Sequence, residues 1–123
     1  MLFSKKIIKD VCPLKKFTIN QGEGIRIPML EGVERRNLVT GKETMLCEFT
    51  LQKGSVLPLH QHPHEQTGYL LSGRLLFQID GEDIEMKPGD SWSIHGSVDH
   101  MVTVIETSVV IETFTPVRED FLV

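Results

Sequence analysis

Three histidines and a glutamine carry the most legible chemistry in this sequence: His60, His62, Gln66 and His100. His60 and His62 are spaced i, i+2. On a β-strand that spacing turns both side chains to one face. Two imidazoles on one face chelate a divalent metal at roughly 2.0–2.1 Å per bond. Gln66 follows His62 by four residues and stays in phase with it if a strand resumes past Pro63. Its side-chain oxygen is a neutral ligand. His100 arrives from a later strand, after a loop. The expected cofactor is one divalent ion. Imidazole donors suit zinc, nickel, manganese and iron alike, so the spacing does not choose among them.

The elements that must position these residues are short strands. Turn signals recur along the chain: Asn20-Gln21-Gly22, Glu31-Gly32, Thr40-Gly41, Lys53-Gly54, Ser72-Gly73, Asp80-Gly81, Pro88-Gly89-Asp90 and His95-Gly96. Between them lie runs rich in β-branched and aromatic residues, a pattern that predicts antiparallel strands in a sandwich or barrel. Met45, Cys47, Phe49 and Leu51 alternate with polar residues and should face inward. Leu75, Phe77 and Ile79 share a face, and Asp80-Gly81 makes a tight turn to Ile84 and Met86. Ser108 to Phe114 is nearly continuous in apolar residues, as a strand covered on both faces would be. Val110, Glu112 and Phe114 share a face of it.

The spacing around the histidines extends the pattern. It runs Gly54, His60-x-His62, Gln66, Gly73, within GSVLPLHQHPHEQTGYLLSG. Pro88-Gly89-Asp90 and His100 follow. This resembles the two motifs of the cupin superfamily, with looser agreement in the second. The resemblance implies an all-β, single-domain double-stranded β-helix, or jelly-roll, barrel. Residues 1–123 are then one domain, with strand-like arms over 1–40, the barrel over 41–117 and a tail over 118–123. Most metal-binding cupins place Glu where this chain has Gln66. Glu65 is one residue out of phase. A neutral ligand set leaves the ion's charge unbalanced and makes it a stronger Lewis acid.

HPHEQTGYLLSG together with TFTPVREDFL resembles a subgroup of small cupins, the KdgF-like proteins, which linearise unsaturated uronates released from pectin or alginate. The resemblance implies metal ligands at His60, His62, Gln66 and His100, a substrate-side Phe114, and catalytic Glu112 and Arg118. Glu112 departs from the subgroup's Asp, adding a methylene to the proton-transfer geometry. The alternative for Glu112 is an outer face or a subunit contact. Tyr69 is expected to bind substrate, with a subunit contact as its alternative.

Three functions follow as expectations. The first is a metal-dependent lyase or isomerase on a small sugar acid, with Arg118 on the carboxylate and Glu112 moving a proton. The second is a cupin dioxygenase on a small organic substrate. The third is a metal- or sugar-binding module without turnover. The partners expected are a small molecule and a second copy in a homodimer.

Other residues carry plainer expectations. His64 and His95 are loop residues, and Trp92 is core. Arg35-Arg36 sit before a strand, at a solvated edge. The Arg118–Phe121 segment closes the pocket or packs on a partner. The formal net charge of -4, with no basic block, argues against nucleic acid and an anionic membrane. Cys12 and Cys47 are expected as free thiols. The N-terminal segment has no apolar run of the signal-peptide kind, so a cytoplasmic location is expected.

Overall fold

A computed structural model describes residues 17–122. Among these residues eight strands form one antiparallel system: β1 (Arg26–Leu30), β2 (Val33–Thr40), β3 (Met45–Leu51), β4 (Val56–His60), β5 (Glu65–Ile79), β6 (Glu82–Met86), β7 (Ser91–Ile94) and β8 (His100–Thr115). The order is β1-β2-β3-β8-β5-β6, with β4 also on β8 and β7 also on β5. The long strands β5 and β8 pair along their whole length. Near one end they are flanked by β7 and β3, near the other by β6 and β4. Two strands thus run through both layers of a jelly roll and close it around a lumen.

The passage between layers has a local cause. Gly73 has φ +97°, which an L side chain rarely adopts, and a Cβ there would overlap Ser108. Ser108 is fully buried; its hydroxyl accepts from the Arg74 amide at 3.0 Å and donates to the Glu106 carbonyl at 2.6 Å. The register shifts around Ser72 and Arg74. This bulge moves β5 by one residue in phase. Even positions face the lumen before it (Gln66, Gly68, Leu70), and odd positions after it (Leu75, Phe77). The period-two argument therefore holds on each side of Gly73 but not across it.

The alternation expected in β3 is present: Met45, Cys47, Phe49 and Leu51 are all buried. The Asp80-Gly81 turn has positive φ at both residues, 50° and 83°, as a tight hairpin requires. β8 differs from expectation. Val110, Glu112 and Phe114 are buried on the lumen side, but Val109 and Ile111 on the other face are only half-buried. Its apolar continuity thus reflects β-propensity on the outer face and burial on the inner one.

Arg35 and Arg36 do not sit before a strand. They lie inside β2, and the alternation sends them to opposite faces. Arg36 pairs with Glu48 outside at 3.5 Å, while Arg35 is buried. The tail is also structured. Glu119–Phe121 forms a short 3₁₀ turn that inserts Phe121 into the core beside Phe49 and Phe114. Of the cysteines, Cys47 is a free, buried thiol, and Cys12 lies outside the described residues. Among the described residues no helix is long and apolar enough to cross a membrane.

Candidate metal centre

His60 ends β4 and His100 begins β8, and the two are direct cross-strand partners. Their ring centroids lie 4.2 Å apart. His62 stands on the connection between β4 and β5, with its ring 5.1 Å from that of His100. The candidate ligand atoms of the three histidines lie within 4.8 Å of one another.

Each ring is oriented by the backbone. His60 Nδ1 donates to the Pro58 carbonyl at 2.7 Å, His62 Nδ1 to the His64 carbonyl at 2.9 Å, and His100 Nδ1 to the Val98 carbonyl at 2.8 Å. A carbonyl oxygen only accepts, so Nδ1 carries the proton and a neutral ring keeps its lone pair on Nε2. Three such rings at this separation suit a divalent ion. The loop between β7 and β8 supports two of them. It supplies the Val98 carbonyl, and the Ser97 amide donates to the His62 carbonyl at 2.7 Å. Burial, with the positive charge of Arg118, holds His62 below the usual histidine range; burial does the same to His100. Both therefore favour the neutral, ligating form.

Gln66 is buried on the lumen face of β5, two residues from Gly68. Its Nε2 donates to Glu112 Oε2 at 2.6 Å. With that Nε2 committed to Glu112, the side-chain oxygen is the end of the amide left over for a ligand. Glu112 faces inward, and its outer-face alternative does not hold. The same Oε2 also accepts from Trp92 Nε1 at 2.8 Å. Burial pushes the Glu112 carboxyl up, while Trp92, Gln66 and then Arg118 pull it back. The four neutral ligands expected from sequence thus have a carboxylate directly behind the amide. The site is less unbalanced in charge than Gln66 alone implies.

Arg118 lines the same cavity as His60, His62, Gln66, His100, Glu112 and Phe114. Its Nε and Nη2 bond Asp120 at 3.3 and 2.8 Å, and its guanidinium lies 5.2 Å from the Phe114 ring centroid. On the Phe121 ring it stacks at 3.9 Å, and Arg35 stacks on that ring at the same distance. Arg35 Nη2 and Asn37 Nδ2 both donate to the Phe121 carbonyl. The tail therefore walls the cavity.

Tyr69 is not brought to the site. It lies on the outer face of β5, paired with Ser91 and Ile111, and is 49% exposed. Its odd number, against the even Gln66 and Gly68, was the signal that placed it outside. His95 is exposed, and His64 contributes its carbonyl to His62 while its own Nδ1 is buried without a hydrogen bond. Trp92 and Arg35 are the residues that sequence reasoning undervalued. Both make buried polar contacts with residues distant in sequence: Trp92 with Glu112 across β7, β5 and β8, and Arg35 with the Phe121 carbonyl of the tail.

The family model for the cupin domain matches residues 47–113. The pectin degradation protein KdgF of Dickeya dadantii is 31% identical over 94 residues, covering 75% of this chain and 86% of that protein. Among solved structures, KdgF from a Halomonas species superposes with a TM-score of 0.80 at 28% identity, covering 87% of this chain and 98% of that one. An RmlC-like cupin from Shewanella frigidimarina gives 0.82 at 27% identity, covering 86% and 96%. With the barrel, the paired His60 and His100 and this match over the strands that carry them, the chain belongs to the cupin family.

Proposed function

We propose that this cupin is a metal-dependent lyase or isomerase acting on a small sugar acid such as an unsaturated uronate. The observation that carries the reading is one cavity lined by three ligand-ready imidazoles, Gln66, Glu112 and Arg118. Its likeness to a pectin degradation protein supports the substrate class. A divalent ion held by His60, His62, His100 and Gln66 supplies Lewis acidity toward substrate oxygens. Arg118 receives the substrate carboxylate; Nη1 lies outside its pairing with Asp120. Phe114, beneath that guanidinium, offers an apolar face to the sugar ring. Glu112 moves a proton through Oε1, because Oε2 is occupied by both donors. Its raised proton affinity brings exchange nearer neutrality. The test is loss of the ring-form absorbance of unsaturated galacturonate or mannuronate with protein of measured metal content. Faster loss than background is expected, and none with metal confirmed contradicts the reading.

A second reading has its own observation. Away from its polar end the cavity is lined by Phe49, Leu51, Leu75, Phe77 and Val102. Such walls suit an apolar organic substrate, as a cupin dioxygenase would take. Oxygen uptake with flavonoid or diketone substrates in iron-, manganese- or nickel-loaded protein separates the two.

We also place Tyr69 and Leu71, each 49% exposed, at a contact between two copies of the chain. Light scattering should give the mass of two chains.

A further inference from the structure

Trp92, Gly68 and Glu112 form one row across β7, β5 and β8, with Gly68 the register partner of both. The indole must cross Gly68 to reach the carboxylate. A Cβ at position 68 would overlap three atoms of the indole, Nε1 among them. Gly68 is not among the glycines with positive φ, so its backbone would accept alanine. Glycine in a strand interior weakens the strand. Passage of the indole is what this position gains in return.

The row ends on Gln66. A glutamine amide can present either its oxygen or its NH₂ to the histidines, and only the oxygen ligates. A carboxylate, which only accepts, selects the NH₂ end and so turns the oxygen the other way. That selection works only if the carboxylate itself is held. Trp92 Nε1 holds Glu112 Oε2 at 2.8 Å, on the same atom that Gln66 Nε2 reaches at 2.6 Å. The Phe77 ring, 4.7 Å from the indole, backs it.

We propose that Trp92, admitted by Gly68, is a positioning residue of the metal centre: it anchors Glu112 and, through it, aims the Gln66 oxygen at the His60–His62–His100 cluster. This rests on the reading of those four residues as one metal site.

The test is equilibrium binding of cobalt(II) to the full chain, with its visible absorption spectrum. Wild type is expected to bind one cobalt per chain. Trp92→Phe and Gly68→Ala are expected to bind about tenfold more weakly, with an altered spectrum. In an Glu112→Ala background, Trp92→Phe is expected to change affinity by less than twofold, because the indole then has nothing to hold. Binding of Trp92→Phe within twofold of wild type, with the same spectrum, overturns the proposal. So does an equal tenfold loss in both backgrounds. If Glu112→Ala does not fold, the side-chain amide resonances of Gln66 decide. They should shift on Trp92→Phe substitution, and unchanged resonances overturn the proposal. A wild-type chain that binds no cobalt overturns the reading of the site itself, a result distinct from the others.

Discussion

Gln66 donates its side-chain amide to Glu112 Oε2 over 2.6 Å. Most metal-binding cupins have a carboxylate ligand where this chain has Gln66. Here the carboxylate stands one residue further from the histidines, and the amide lies between. Two acceptor-only groups cannot make this contact, so Glu112 requires a donor at position 66.

Gln66→Glu should therefore destabilise the metal-free protein at pH 7 by about 2 kcal/mol, since two buried carboxylates would then meet. Urea unfolding measures it. The deficit should shrink as pH falls and the pair takes up a shared proton.

Glu112 has a second consequence, through pH. Its folded proton affinity is raised, mainly by burial. Between its unfolded and folded pKa values the folded state binds more protons than the unfolded state. Stability from this group is thus full at low pH and falls as pH rises through that window. Glu112→Gln keeps an oxygen for both donors and cannot ionise. It should remove this slope in metal-free protein and raise neutral-pH stability. On the proposed reaction it should lower turnover of an unsaturated uronate by about 100-fold or more.

Cys47 is fully buried, and burial pushes its thiol up to about 12. The peptide containing Cys47 should stay unmodified by iodoacetamide at pH 8 in the native protein. In urea it should be fully modified. Mass mapping distinguishes it from Cys12.

The Phe121 ring lies between the guanidinium groups of Arg35 and Arg118, each 3.9 Å from its centroid. Phe121→Ala should cost about 3–5 kcal/mol through the cavity it leaves and the lost stacking. It should also free Arg118, raising KM for a sugar acid more than it lowers kcat.

What the sequence displayed and what it hid follow from the range of each interaction. The inward set of β3 was readable because strand period is local. His60 and His62 were readable for the same reason, and Gly54, Gly73 and His100 completed a family pattern. A pocket role for Tyr69 runs against its parity, which opposes that of Gln66 within one strand, whereas its alternative as a subunit contact does not. Arg35 resembled a solvated edge because adjacent arginines are usually exposed; only the course of β2 sends one of them inward. Trp92 looked like core, and it is buried, but its hydrogen bond to Glu112 depends on a glycine in a third strand. A glycine without a turn, between Gln66 and Leu70, was the available sign that something large crosses there.

The proposed chemistry depends on His60, His62, His100 and Gln66 together holding one divalent ion. Its most direct test is metal titration of the stripped chain, read by calorimetry and by thermal unfolding. One ion per chain should bind. At a hundredfold excess of free metal over Kd, the stabilisation should be about 2.7 kcal/mol. His62→Ala should lose both effects. Binding by wild type no tighter than by His62→Ala, with no change in unfolding, would contradict the account.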